Sequence, residues 1–271
     1  MQKRVSCLMT ALVLFVTMSV HAAAAESSHN IVVNGQELTT TTVTKVINQN
    51  TYVSYWPVVS AMFPDATISW ENGQSVVRAN GLTMCVQVGA KYIVVNGRYL
   101  YVPNGVQLVS ESVLLPAQVL AKALGAIVGW DGVRECAVFQ SSGTPLASGD
   151  SYYYSDSVYW LSRIIYAESG NQPLEGKIAV GNVILNRVAD SRFPNTITGV
   201  IFQPGQFTPA QSGSLNRTPN TESVIAAKLC LDGANTAGNS LYFVNPSVSP
   251  NSWASRNCTC VATIGAHAFF A

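Results

Sequence analysis

One carboxylate, Glu168, lies at the end of an apolar helical stripe and is the residue best suited to acid–base chemistry. The spacing predicts a helix over 157–169, with Asp156 as its N-cap. Burial of a carboxyl group disfavours its charged form and raises its pKa, as a general acid at neutral pH requires. The pattern is equally compatible with a Glu at a fraying helix end, because Gly170 and Pro173 follow. The stripe that Glu168 continues consists of Val158, Leu161, Ile164 and Ile165.

The other carboxylates in this part of the sequence have structural explanations. Glu175 and Glu222 lie in the first turns of predicted helices, where a negative charge interacts favourably with the helix dipole. Asp190 and Asp232 lie at predicted helix ends. Glu168 is therefore the one carboxylate of this region that lies on an apolar face without a structural role.

A second helix is predicted from Pro173 to about Val188. It places Asn182 and Asn186 on one face, beside the apolar core. The two amides are able to hydrogen-bond a sugar or to orient a carboxylate. Ordinary polarity of a helix surface explains them equally well.

Composition and the N-terminal segment favour a protein that works outside the cell. Charged residues make up 11% of the sequence and hydrophobic residues 48%, so apolar material for a core is ample. The formal net charge of +1 gives no basic excess, and a nucleic-acid partner is not expected. Residues 1–25 combine Lys3 and Arg4, an apolar run and a series of alanines, the pattern of a secretory signal peptide. After its cleavage, no segment is long enough to span a membrane.

The numbers of cysteines and histidines limit the disulfide bonds and metal sites that the chain can form. An odd number of cysteines after signal cleavage leaves at least one thiol unpaired. The sequence leaves three alternatives: a bridge from Cys85 to Cys136, a bridge from Cys230 to either of the two last cysteines, or reduced thiols throughout. His267 is the single histidine of the folded region, which argues against zinc sites with two or three His ligands, so neither a metal nor a cofactor is expected. The cysteines of the mature chain are Cys85, Cys136, Cys230, Cys258 and Cys260.

A repeated segment divides the sequence into two domains. The letters Ile-Val-Val-Asn-Gly occur at 31–35 and again at 93–97, and Asn-Gly after an apolar run is a strong hairpin signal. Strand-like and helical stretches follow each copy, which predicts two ββαββ halves packed together over 30–140. Residues 141–156, rich in Ser and Gly, are predicted to be a linker, and residues 157–271 a second domain.

The first domain resembles the copper amine oxidase N-terminal-like module of secreted and cell-surface proteins of Gram-positive bacteria. The resemblance is carried by the two Val-Asn-Gly turns and by residues 115–117, 123–126 and 130–132. It implies a binding or spacing role and does not imply copper, in keeping with the lack of histidine over 30–140.

The second domain resembles the SleB-type cell wall hydrolases, which include spore cortex-lytic enzymes. The resemblance implies a lysozyme-like α+β fold and makes Glu168, in its Tyr-x-Glu segment, the catalytic acid. The whole chain is thus expected to be an α+β protein, with a small repeat-built β-rich module before the catalytic domain. The matching motifs occur in order over 161–170, 175–180, 186–188, 192–197, 199–203, 205–208, 242–246, Arg256 and 263–267.

These features predict a secreted enzyme that cleaves the β-1,4 bond between N-acetylmuramic acid and N-acetylglucosamine in peptidoglycan. Hydrolysis usually requires two carboxylates, whereas a lytic transglycosylase uses one Glu as acid and then as base, which fits Glu168. The partner is the glycan strand, and a monomer in the cell wall or spore envelope of a Gram-positive bacterium is expected. The predicted substrate-binding residues are Tyr166, Asn186, Gln206, Phe207, Tyr242, Asn245, Arg256 and His267, with Trp253 as a further stacking residue.

Two alternatives stay open on sequence grounds. A peptidoglycan amidase or endopeptidase would pair His267 with Cys230, Cys258 or Cys260 as a catalytic dyad. A non-catalytic protein would only adhere to the wall. The N-terminal half also lacks the repeat-type peptidoglycan-binding domain expected of a spore cortex-lytic enzyme, so vegetative wall and spore cortex are equally plausible substrates.

Overall fold

The computed structural model describes residues 30–38 and 42–271, apart from the side chain of Gln211. The predicted signal peptide, residues 1–25, lies outside the described residues. Within them, helices and sheets are combined in two domains, and the predicted α+β fold class is confirmed. No helix in this part of the chain is both long and apolar enough to cross a membrane.

The N-terminal module contains strands β1 to β13 and helices α1 and α2. In each half, a hairpin, a second hairpin, a helix and a further hairpin follow one another. The bounds are β1 Ile31–Val33, β2 Gln36–Glu37, β3 Thr44–Ile47, β4 Asn50–Ser54, α1 Tyr55–Met62, β5 Thr67–Glu71, β6 Gln74–Ala79, β7 Leu82–Val86, β8 Tyr92–Val95, β9 Arg98–Tyr101, β10 Gln107–Val109, β11 Ser112–Pro116, α2 Ala117–Ala123, β12 Ala126–Asp131 and β13 Cys136–Ser141.

Each sheet of the module contains strands from both halves of the repeat. Strand β4 pairs with β11 antiparallel, which joins the second hairpins of the two halves in one sheet. Strand β1 runs parallel to β13, so the first strand of the module lies against its last. The shared core includes Tyr52, Leu120 and Phe139, which are fully buried. Because neither half covers its own apolar face, the two halves stabilise each other.

The C-terminal domain contains helices α3 to α9 and strands β14 to β16. The three strands form one sheet in the order β14, β16, β15. The bounds are α3 Gly149–Tyr152, α4 Ser155–Ser169, α5 Leu174–Ala189, α6 Ile197–Ile201, α7 Thr208–Gln211, a 3-10 turn Ser214–Asn216, α8 Thr221–Leu231, β14 Tyr242–Val244, α9 Trp253–Asn257, β15 Cys260–Ile264 and β16 His267–Phe270.

Helices α4, α5 and α8 pack against one another and form the core of this domain. Helix α4 begins at Ser155 with Tyr154 as its N-cap, so the prediction of Asp156 as the N-cap is wrong. The extended backbone of Tyr154 directly precedes the helix, and Asp156 lies in the first turn, where its charge still favours the helix dipole. The fully buried members of the predicted stripe are Leu161, Ile164 and Ile165.

Residues 141–156, which composition predicts to be a linker, contain α3 and contact the module. The backbone N–H of Gly149 donates to the Asn96 carbonyl oxygen at 2.7 Å. A Cβ atom on Gly149 would lie 2.5 Å from the Gly97 carbonyl oxygen, so this approach requires glycine. The segment therefore has a fixed course over the Asn-Gly turn of the module.

A buried ion pair joins the two domains. Asp232, directly after α8, accepts hydrogen bonds from Arg98 of β9 and from the Tyr153 hydroxyl. The Arg98 and Asp232 side chains are 7% and 1% exposed. Lys122 of α2 donates to the Asp232 carbonyl oxygen at 2.6 Å. These contacts hold the module against the end of α8.

Candidate active site

Glu168 lies in the last turn of α4, where the buried stripe of that helix meets a surface cleft. Its side chain is half-buried. Burial raises the pKa of its carboxyl group above the ordinary value for Glu. A carboxyl group that keeps its proton to higher pH is suited to donate it to a leaving group.

The cleft beside Glu168, called the Glu168 cleft below, has a volume of about 680 Å³. Its lining combines aromatic rings, hydroxyl groups and an amide, and includes Gln206, Ser214, Tyr242 and Trp253. Predicted site residues from four separate chain segments therefore meet at one place. Ring faces beside hydroxyl and amide groups form a surface that suits a sugar.

A second hollow of about 440 Å³, the Tyr166 hollow, adjoins the first and shares Glu168 and Ser214 with it. Tyr166, Asn171 and the other lining residues come from the end of α4 and from the segment before α8. Glu168 thus lies between two hollows. An extended polymer that occupied both would present an internal bond to this carboxyl group.

The aromatic residues of the Glu168 cleft differ in exposure. Trp253 is 57% exposed and meets Tyr242 with ring centroids 5.3 Å apart. Phe207 is 4% exposed and belongs to the hydrophobic core, although it also lines the cleft. Tyr242 and Trp253 therefore provide the accessible ring surface, while Phe207 mainly supports the wall.

Arg187 is a cleft residue that was not among the predicted site residues. It is buried, and its Nε donates to the Leu241 carbonyl oxygen at 2.7 Å. Its Nη1 donates to the Gln206 Oε1 at 3.0 Å, which leaves the Gln206 NH₂ group as a donor. Burial lowers the pKa of Arg187. The sequence signal was an arginine on the apolar side of α5, one turn after Val183.

Two protein families match parts of the chain. Residues 171–270 match the model of the family Cell Wall Hydrolase. The C-terminal domain is called the cell wall hydrolase domain below, after this match. Residues 32–137 match the copper amine oxidase N-terminal domain, so both predicted resemblances are confirmed.

Curated relatives are similar to part of the chain. The spore cortex-lytic enzyme of Bacillus cereus is 37% identical over 114 residues, which cover 42% of this chain and 43% of that protein. The spore cortex-lytic enzyme of Bacillus subtilis is 32% identical over 101 residues, which cover 37% of this chain and 33% of that protein. The chain therefore spans less than half the length of these relatives.

Two solved structures are also similar. The catalytic domain of the germination-specific lytic transglycosylase SleB from Bacillus anthracis is 35% identical, with 44% of this chain and 97% of that chain covered and a TM-score of 0.41. The catalytic domain of the Bacillus cereus SleB protein is 35% identical, with 44% and 92% covered and a TM-score of 0.42.

Four of the predicted substrate-binding residues of the cell wall hydrolase domain lie outside both hollows, namely Asn186, Asn245, Arg256 and His267. The Asn186 amide donates to the carbonyl oxygens of Gly238 and Ser240, each at 2.9 Å, and so fixes the segment before β14. Asn245 Oδ1 accepts a hydrogen bond from the backbone of Ser247 in a turn.

Arg256 and His267 lie at the surface and in the core, respectively. Arg256 is exposed on α9. His267 is buried, and its ring packs against Phe243 with centroids 5.4 Å apart. Burial lowers the pKa of His267. Since Phe243 itself lines the Glu168 cleft, His267 lies one layer behind the cleft wall.

Among the described residues that line the Glu168 cleft and the Tyr166 hollow, Glu168 is the single carboxylate. Three other acids of the domain have partners elsewhere. Glu175 pairs with Lys91 of the module at 3.3 Å, Glu222 with the buried Lys177, and Asp190 with the exposed Arg192 at 2.7 Å. The site thus offers one group for both proton transfers of a cleavage reaction.

The cysteines give no support to a Cys/His dyad. All five within the described residues are free thiols. Cys230 is fully enclosed in the core, where burial raises its pKa and its thiol donates to the Ile178 carbonyl oxygen. Cys260 pairs across the sheet with Phe270, at the other end of β16 from His267. No cluster of possible metal ligands occurs in the part of the chain that the structure describes.

Proposed function

We propose that the chain is a peptidoglycan lytic transglycosylase that cuts the glycan strand between N-acetylmuramic acid and N-acetylglucosamine. The observation that carries the proposal is the single half-buried carboxyl group of Glu168, with its raised pKa, between two adjoining hollows. The match of residues 171–270 to the Cell Wall Hydrolase family and the relatives named spore cortex-lytic enzymes support peptidoglycan as the substrate. The family match begins at residue 171, so the role of Glu168 rests on its geometry.

In the first step, protonated Glu168 donates its proton to the glycosidic oxygen. The bond between that oxygen and C1 of the muramic acid breaks, and N-acetylglucosamine leaves with a free hydroxyl group. The sugar ring develops positive charge at C1, as in glycoside cleavage generally. Glu168 is now a carboxylate in a half-buried place, and its raised pKa favours recovery of a proton.

In the second step, the Glu168 carboxylate takes the proton from the C6 hydroxyl of the same muramic acid. O6 then bonds to C1, which gives a 1,6-anhydro sugar and restores the protonated Glu168. No water is consumed, and no second carboxylate is needed. This accounts for a site in which the described lining residues hold one acid.

The strand would extend through the Glu168 cleft and the Tyr166 hollow. Tyr242 and Trp253 provide ring surface for the apolar face of a sugar. Gln206, held by Arg187, offers its amide NH₂ group to a sugar hydroxyl or acetamido oxygen. Tyr166 is proposed to contact the sugar that occupies the Tyr166 hollow.

We further propose that residues 1–25 direct secretion and that the mature chain acts as a monomer in the cell wall or spore envelope of a Gram-positive bacterium. The relatives' names favour the spore cortex as the substrate. The similarity to the first of these relatives covers 42% of the chain, and residues 32–137 match the copper amine oxidase N-terminal domain. Vegetative wall remodelling is therefore a second setting.

Mass spectrometry of the muropeptides released from purified sacculi tests the reaction. The mature chain is expected to release fragments that end in 1,6-anhydromuramic acid. Glu168→Gln is expected to lower the rate by about 10²- to 10⁴-fold, because it removes the general acid and base. Glu175→Gln is the matched control, since neither Glu175 nor its partly exposed partner Lys91 lines the cleft.

The products separate the alternatives. Reducing muramic acid ends would replace transglycosylation by hydrolysis and require a second carboxylate. Intact glycan with cut peptides would favour Cys/His chemistry. Glu168→Gln is expected to unfold at the same or higher urea concentration than the parent at pH 7, because a carboxyl group whose pKa is raised on folding destabilises the fold above its unfolded pKa. Lost turnover in this variant therefore reports chemistry rather than misfolding.

A further inference from the structure

A second groove, the module trough, lies on the N-terminal domain. It consists of two adjoining hollows of about 220 Å³ and about 620 Å³, which share Asn50, Pro116 and Gln118 in their linings. The smaller hollow contains Trp130 of β12, and the larger one ends at residues 232–236 of the cell wall hydrolase domain. The trough therefore runs from the module surface to the junction of the two domains.

The lining of the trough suits a neutral sugar polymer. Trp130 is 52% exposed, and the amides of Gln49 and Gln118 are exposed beside it. The charged lining residues are Lys122 and Asp232, whose side chains pair with each other at 3.3 Å. An indole face stacks on the apolar face of a pyranose ring, and amides donate to and accept from hydroxyl and acetamido groups. A polyanion such as nucleic acid would find no unpaired cation in this lining.

The repeat provides an internal comparison. Trp70 of β5 occupies the position in the first half that Trp130 occupies in the second, at the end of the strand that follows the helix. Trp70 is 69% exposed and contributes to none of the hollows around either groove. Both halves therefore expose a tryptophan ring. Of the two, Trp130 is the one that lies in a concave surface beside amide side chains.

We propose that the module trough binds a strand of β-1,4-linked N-acetylhexosamines, the class of polymer that the Glu168 cleft is proposed to cleave. The choice of polymer rests on the proposed function, while the sugar chemistry of the lining stands on its own. Asp232 contacts both the trough and Arg98, so the trough has a fixed position relative to the cell wall hydrolase domain. A strand held in the trough keeps the Glu168 cleft at high local substrate concentration.

Two measurements on the full mature chain with Glu168→Gln test the trough without turnover. In the first, the indole N–H signals of the five tryptophans are followed by NMR during titration with chitotetraose, the β-1,4-linked tetramer of N-acetylglucosamine. The signals of Trp130 and of Trp253, in the Glu168 cleft, are expected to shift and saturate. The Trp70 signal is expected to stay in place. Trp→Phe substitution assigns each signal.

In the second measurement, the same chain is sedimented with purified sacculi. Adding Trp130→Ala is expected to weaken the apparent affinity by about five- to tenfold, the range for loss of one aromatic stacking contact. Adding Trp70→Ala is expected to leave the affinity unchanged. A fluorescence or circular dichroism spectrum equal to that of the parent shows that each variant is folded.

The two proposals fail separately. A Trp130 signal that does not respond to chitotetraose, or equal losses from Trp130→Ala and Trp70→Ala, would overturn the trough and leave cleavage by Glu168 untouched. A Trp130-dependent affinity for sacculi that chitotetraose does not compete for would move the ligand from glycan to stem peptide and also overturn the proposal. Absence of anhydro products from the parent chain would overturn the proposed reaction but not a Trp130-dependent binding result.

Discussion

Replacing Asp232 by Asn is expected to weaken the contact between the two domains, so that they no longer unfold together. The Asp232 carboxylate is 1% exposed and accepts hydrogen bonds from Arg98, which is 7% exposed, and from the Tyr153 hydroxyl. Lys122 approaches the same carboxylate at 3.3 Å. Burial, together with the bond to Asp232, raises the pKa of Tyr153, so this hydroxyl keeps its proton and stays a donor. The Asp232 carboxylate therefore joins residues 141–156, β9 and α2 to the end of α8.

The size of the effect follows from the burial of the pair. Asn keeps the shape but removes the negative charge, and Arg98 stays protonated at every accessible pH. Removing one partner of a buried ion pair costs about 3–5 kcal/mol, because the other charge is left without compensation. The Tyr152 ring, 3.3 Å from the Arg98 guanidinium carbon, offsets part of this loss. Set against a typical unfolding free energy of about 5–15 kcal/mol, the expected loss is large.

Urea unfolding followed by tryptophan fluorescence measures this loss. The parent is expected to show one transition and Asp232→Asn an earlier one, with the module and the cell wall hydrolase domain no longer unfolding together. Asp190→Asn is the matched control, because its partner Arg192 is exposed and surface pairs contribute little. A double-mutant cycle with Arg98→Met isolates the pair. The reasoning is refuted if Asp232→Asn unfolds at the same urea concentration as Asp190→Asn.

Three further predictions concern the site and its surroundings. The cleavage rate is expected to fall as pH rises through the raised pKa of Glu168, so the descending limb of the pH profile lies above the value near 4.3 of an exposed Glu, and a limb at that value contradicts the acid role. Asn186→Ala is expected to lower the unfolding free energy by about 1–3 kcal/mol, because the carbonyl groups of Gly238 and Ser240 lose their donor; unchanged stability with weaker substrate binding would contradict this structural role. Iodoacetamide is expected to leave Cys230 unmodified in the native chain, as peptide mass spectrometry checks, and rapid labelling with loss of turnover would favour a thiol enzyme.

Local patterns determined much of the module and of helix α4. Asn-Gly after an apolar run fixes a tight turn because both residues accept a positive φ, and Asn96 and Gly97 have φ values of 50° and 79°. The period of the apolar stripe fixes the face of α4 that is buried, and hence the environment of Glu168. The N-cap was misplaced because Tyr154, whose side chain makes no capping hydrogen bond, takes the extended conformation directly before the helix, so no capping residue type marks this position in the sequence.

Some predicted site residues line the cleft or the hollow beside it, whereas others hold backbone atoms that are distant along the chain. Gln206, Phe207 and Tyr242 line the Glu168 cleft and Tyr166 lines the hollow beside it, as expected of residues in one binding groove. Asn186 is used instead to hold carbonyl groups 52 and 54 residues away along the chain. No periodicity in a single sequence reveals which distant backbone atoms need a donor. The same reason explains why Arg187 was missed.

The sequence by itself determined the α+β class, the repeat, and Glu168 as the unexplained carboxylate, because these depend on composition and on spacing within one element. Tertiary structure decided which polar side chains face the Glu168 cleft, which ones support it from behind, and that Arg98 and Asp232 join the domains. It also brought Trp130 and the amides of other segments into one trough. These features depend on burial and on contacts between residues far apart in the chain, and such contacts form only when the whole core is assembled.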